Sequence, residues 1–104
     1  MAYSLSAMLN DLQESMDNLA IARVAGLTMG GMSKEKAKEE VIANARAAAN
    51  QGDTGEQNFL GGLYYFGSFL GIDKNQKEGL DWWDKSAKLG DKNAKEVLQA
   101  IRGY

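Results

Sequence analysis

Ser33-Lys34-Glu35-Lys36 is the stretch of this chain that comes nearest to a catalytic motif. Some serine acyl-transferring enzymes use a Ser-x-x-Lys spacing, but always with companion motifs. Those companions are absent, and 104 residues are too few for the folds that carry them. A serine before a charged helical run reads instead as a helix N-cap. Glu39 and Glu40 are adjacent carboxylates on one helix, so they do not converge on a common point. Asp73-Lys74-Asn75-Gln76 alternates oxygen-bearing side chains like a calcium loop. The fifth position would be Lys77, however, and no glycine follows at the sharp turn. The glycine doublets do not make Gly-x-Gly-x-x-Gly, so no phosphate cradle is indicated. Histidine and cysteine are both missing, which removes the commonest general base, the commonest metal ligand and all thiolate chemistry. The expectation is a protein with no catalytic residues, no metal and no cofactor.

The whole chain is of single-domain size, with room for only a modest core. A net charge of −2, with acids and bases mixed along the sequence, argues against a nucleic-acid footprint. No apolar run approaches the length of a membrane span. The N-terminus lacks a basic segment before its apolar residues, so the expected location is the cytoplasm. Zero proline suits a chain that is mostly helix.

Hydrophobic spacing predicts five helices. Over residues 4–29, Leu5, Leu9, Leu12, Met16 and Leu19 recur at alternating steps of four and three, and the stripe then drifts to Ala20, Val24 and Leu27. Asp11, Glu14, Asp17 and Arg23 are expected on other faces. All five methionines of the chain lie at or before Met32. Such a helix either caps an open core, with methionine filling irregular gaps, or serves as an adaptable partner-binding or dimerising face. Gly30-Gly31 breaks it, and Ser33 caps a second helix over 34–50 that buries Ala37, Val41, Ala45, Ala48 and Ile42. Its lysines and glutamates form a solvated face. Asp53 and Glu56 make a capping-box-like pair at the start of a third helix over 54–67, which carries Phe59, Leu60, Leu63, Tyr64 and Phe66. Gly61 and Gly62 inside that helix imply close packing of a neighbour, since each weakens a helix by about 1 kcal/mol relative to alanine. A turn precedes the fourth helix, 76–89, whose buried stripe is Leu80, Trp83 and Ala87, with Trp82 wedged between helices. Asp91 caps the fifth, 92–102, with Ala94, Val97, Leu98 and Ile101 inward.

The segment 52–91 begins and ends with the same Gly-Asp pair, Gly52-Asp53 and Gly90-Asp91. This offset of about 38 residues pairs Ala49 with Ala87 and Leu60 with Leu98, and lies within the range of helix-pair repeats. The segment resembles the Sel-one-like repeat (SLR), a relative of the tetratricopeptide repeat. Gly52, Gln57, Leu60, Gly61, Tyr64, Gly67, Gly71, Ile72, Trp82, Ser86, Ala87 and Gly90 fall on that family's pattern. Glu56, Asn75 and Gly79 depart from its preferred residues, Ser86 holds a matched position where one of an alanine pair is usual, and two extra residues lengthen the turn between Gly67 and Gly71. Residues 1–31 match nothing in it. The resemblance implies an all-α fold, a short right-handed alpha-alpha solenoid with capping helices. Its divisions would be an N-terminal cap at 1–31, a half repeat at 33–51, a full repeat at 52–90 and a C-terminal cap at 91–104. It also suggests a bacterial or phage origin.

In tetratricopeptide-like repeats the first helix of each pair lines a concave groove. The resemblance therefore turns Leu60, Gly61 and Tyr64 to the core, and helical spacing turns Asn58, Gly62, Tyr65 and Phe66 toward the groove. Phe69 and Leu70 in the turn, and a partner-facing Trp82, add apolar surface, although the N-terminal helix could cover these residues. The function expected is protein–protein interaction without catalysis, a protein or peptide partner being held by aromatic anchors and by Asn58. No nucleic acid or membrane is expected as partner, and the N-terminal helix offers a homodimer face. The alternative is a small stand-alone inhibitor, such as a bacterial immunity protein or a phage anti-defence protein, that occludes another protein's functional site.

Overall fold

A computed structural model describes residues 4–68 and 70–103. Its regular elements are five α-helices: α1 Leu5–Met29, α2 Lys34–Asn50, α3 Thr54–Phe66, α4 Gln76–Lys88 and α5 Lys92–Arg102. Among the described residues the fold is all-α, with a single antiparallel bridge, Ser68 to Ile72, inside the α3–α4 turn. No helix among them is long and apolar enough to cross a membrane.

Local chemistry accounts for where each helix starts and stops. Ser4, Ser33, Asp53, Asn75 and Asp91 occupy the five N-caps, and each side-chain oxygen accepts a backbone N–H three residues on. These bonds satisfy amides that a helix start otherwise leaves unpaired. The ends of α1, α2 and α4 share one geometry. Gly31, Gly52 and Gly90 sit at φ of 101°, 99° and 98°, in the left-handed region that favours glycine. The residue after each glycine donates back to a carbonyl on the last turn of the helix: Met32 to Leu27, Asp53 to Ala48, Asp91 to Ser86. That is the Schellman end, made three times from the same local sequence logic.

The helices pack in chain order, each on the next, and α1 also lies against α3. The buried stripe of α2 is Ala37, Val41, Ala45 and Ala49, a strict step of four. Ala48, expected inside, is half-buried, because α3 approaches on the side of Ala49, whose carbonyl accepts the Gln57 side-chain amide. On α4 the buried set is Gly79, Trp82, Trp83 and Ser86, with Leu80 and Ala87 only half-buried. The reason is the close approach of α4 to α3: small residues at 79 and 86 let both indoles turn inward. Trp83 is enclosed and Trp82 is 8% exposed. In α5 Ala94 and Leu98 are buried. The leucine stripe of α1 is less covered than its spacing suggests: Ala20 and Val24 are the buried residues, whereas Leu5 is 44% exposed and Leu19 is also exposed. A helix of 25 residues is about 37 Å long. The shorter α3, with 13 residues, cannot bury the whole stripe.

Two polar contacts differ from the sequence reading. Asp53 does accept the Glu56 N–H, but the Glu56 side chain does not return to close a capping box. It reaches α1 instead and accepts two hydrogen bonds from the Arg23 guanidinium, both 2.7 Å. The same guanidinium lies 4.2 Å over the Phe59 ring. Arg23, assigned to another face, follows Leu5 by a whole number of helical turns at about 3.6 residues per turn, and so lies in line with the start of the stripe. Glu56 therefore joins helices rather than capping one. At the far end Arg102 makes a second two-bond pair with Asp84, tying α5 to α4.

Candidate interaction surface

Asn58 is the hub of the surface that the sequence marks. It projects from α3, and its Nδ2 donates to Asp91 Oδ2 at 2.9 Å. Asp91 simultaneously caps α5 by accepting the Ala94 N–H at 2.8 Å. The backbone carbonyl of Asn58 accepts the Trp83 indole N–H. One residue thus binds α3 to both α4 and α5. Its Oδ1 is buried and accepts no hydrogen bond from another protein group among the described residues.

Above Asn58 opens a cleft of about 280 Å³ framed by α1, α3 and α5. Met8, Leu12 and Met16 of α1 form one wall, Ala94 and Val97 of α5 the other, and Trp83 closes the end, with Asn93 and Glu96 at the polar margin. The three α1 wall residues are half-buried. The cleft can therefore adapt in shape where methionine lines it.

The six residues singled out from the sequence are dispersed. Gly62 is buried, and Met16 lies where a side chain at 62 would go. The N-terminal helix therefore does cover this part of α3. Tyr65 and Phe66 are half-buried and meet edge to face with ring centroids 5.2 Å apart, and Tyr65 lies 5.2 Å from the Trp83 ring. Through Trp83 these aromatics are linked to the end of the cleft. Trp82 belongs elsewhere: the Lys85 ammonium sits 4.7 Å over its ring, and both line a shallow basin with Arg46. Phe69 lies outside the described residues, and Leu70, expected to add exposed surface, is instead buried in the core. Ser33 is engaged as the α2 cap, accepting the Lys36 N–H. Among the described residues no three potential ligand side chains gather to hold a metal ion.

Sequence reasoning missed the α1 and α5 walls of the cleft, although the confinement of methionine to the chain up to Met32 signals one of them. It also missed a second, larger groove of about 920 Å³ along the other flank of α1. This groove runs from Gln13 past Asp17, Ile21, Val24 and Thr28 to Met32 and Lys34, and Gly67 at the end of α3 also lines it. The signal there is Ile21, an isoleucine off the stripe and 53% exposed.

The Asn58 hub has a pH signature. The donated Asn58 amide, and then the Ala94 N–H, hold the Asp91 carboxyl below its ordinary value, against a smaller opposing effect of burial. A carboxylate depressed in the folded state contributes stability that is present above its unfolded pKa. That stability is lost as pH falls through the folded value. Denaturant unfolding below about pH 4 is therefore expected to show a steeper loss for the wild type than for Asp91→Asn, which keeps a competent cap without the titrating charge. Identical acid profiles would show that Asp91 is not selectively stabilised in its charged form.

Comparison with known protein families, curated proteins and solved structures found no match to this chain.

Proposed function

We propose that this chain is a non-enzymatic protein–protein interaction module that holds a protein or peptide segment in the cleft between α1, α3 and α5. The observation that carries this reading is the pairing of adaptable apolar walls with the unpaired Asn58 acceptor beneath them. A volume of about 280 Å³ accepts one or two large side chains rather than a whole cofactor, the scale of an anchor residue. A backbone or side-chain N–H entering with that anchor would satisfy Asn58 Oδ1 as Met8 and Leu12 yield. The Sel-one-like, right-handed solenoid arrangement belongs to the same proposal. It is supported by the residues of 52–90 that follow the family pattern.

The test is affinity capture from native lysate of the source cell. Wild type is compared with Leu12→Glu/Val97→Glu, which places charge on both cleft walls, and with Tyr65→Ala/Phe66→Ala. All three are first checked for equal melting. A partner lost with the cleft variant and kept by the aromatic one is the expected result. A partner retained by both variants places the function elsewhere and overturns this assignment. The narrower reading as an inhibitor uses the same cleft, and is separated by asking whether the captured partner loses activity when bound.

A further inference from the structure

We propose that the groove bounded by α1, the start of α2 and the end of α3 is the seat of a second copy of this chain, so that the protein is a two-fold symmetric dimer with its α1 helices antiparallel. The surface is apolar along its centre, where exposed Ile21 stands over Val24 and beside Ala25 and Thr28. Its ends carry opposite charges. Asp17 lies toward one end, one helical turn from Gln13 and about 16 Å from Thr28 along the helix axis. Lys34 lies at the other, brought beside the end of α1 by the Gly30-Gly31 turn. Neither side chain forms an ion pair within the chain among the described residues.

This arrangement is self-complementary in one orientation. A two-fold axis passing between Ile21 and Ala25 sets each α1 antiparallel to its copy. Asp17 of one protomer then meets Lys34 of the other, and the reverse pair forms by symmetry. A parallel copy would instead oppose Asp17 to Asp17 and Lys34 to Lys34, which like-charge repulsion disfavours. The exposed Ile21 side chains are buried at the axis, where an anchor contributes most. The dimer face and the cleft use different flanks of α1, Ile21 on one and Met8 with Leu12 on the other, so two clefts stay open in the dimer. This inference does not depend on what the clefts bind.

Sedimentation equilibrium across low to high micromolar concentration tests it, using the full chain. Wild type is expected to dimerise, and Ile21→Asp to weaken the dimer by about a hundredfold or more. Asp17→Lys and Lys34→Glu are each expected to weaken it by about tenfold, because each makes both symmetric pairs repulsive. Combined in one chain they should restore the wild-type constant to within about threefold, since the pairs are attractive again. Rescue by the double reversal supports the antiparallel seat even if Ile21→Asp proves unfolded. A wild type that stays monomeric, or a dimer indifferent to both charge reversals, overturns it.

Discussion

Gly79→Ala is expected to destabilise the fold by about 2–3 kcal/mol, and to lower Tm by roughly 10–15 °C in a domain of this size. Propensity alone predicts the opposite sign, because alanine in a helix interior gains about 1 kcal/mol over glycine. What decides is the atom met by the added methyl. At Gly79 it would lie 2.7 Å from the Gly61 carbonyl oxygen and 2.7 Å from the Tyr65 backbone nitrogen. Both belong to the backbone of α3, which cannot rotate aside as a side chain can. The two helices must separate, and the contacts of Trp83 and Phe59 loosen with them. Gly26→Ala in α1 is the control, since nothing lies within 4 Å of its added methyl. It should stabilise by about 0.5–1 kcal/mol. Denaturant unfolding of the two variants reads both signs. A stabilised Gly79→Ala would show that α3 and α4 do not approach as closely as described.

Helix positions were legible in the sequence because their signals are local. Five caps and three glycine ends lie close in the chain to what they terminate, so Ser33, Asp53 and Gly90 can be read without knowing any neighbour. Burial was legible only where spacing alone decides it. The step of four in α2 could be found, but choosing Ala49 over Ala48 requires knowing the direction of approach of α3. Gly79 appeared as a mere departure from a repeat pattern, since its meaning depends on the α3 backbone at Gly61 and Tyr65. Glu56 shows the same limit most clearly. Its spacing from Asp53 satisfies a capping rule, while its actual partner, Arg23, belongs to another helix and competes successfully with two charge-assisted hydrogen bonds. The candidate site divides along the same line. Asn58 can be singled out from its helical position, but the engagement of its amide by Asp91 and the walls around it from α1 and α5 are tertiary.

The fold also makes a prediction about two residues together. Gly61→Ala should cost about 2–3 kcal/mol in the native background, and much less once Trp83 is replaced by leucine. An added methyl at 61 would stand 2.5 Å from Trp83 Nε1, 2.6 Å from Cδ1 and 2.9 Å from Cε2. The indole is fully enclosed and is held by its N–H to the Asn58 carbonyl, so it has nowhere to turn. Trp83→Leu alone should lose about 3 kcal/mol through the cavity it leaves. In that background the methyl at 61 partly fills the vacated volume and recovers helix propensity. The double variant is then expected to be no less stable than Trp83→Leu itself, a coupling of about 2 kcal/mol or more. Additive losses would mean that glycine at 61 answers to some other neighbour. Gly62, next in the chain, gives the contrast that locates the effect. Its added methyl would meet Met16 Cγ and Sδ, the flexible part of a side chain that can swing aside. Two adjacent glycines on one helix thus have different reasons to be small. Gly61 accommodates a fixed indole from α4, whereas Gly62 accommodates an adaptable methionine from α1, on the side where the cleft opens.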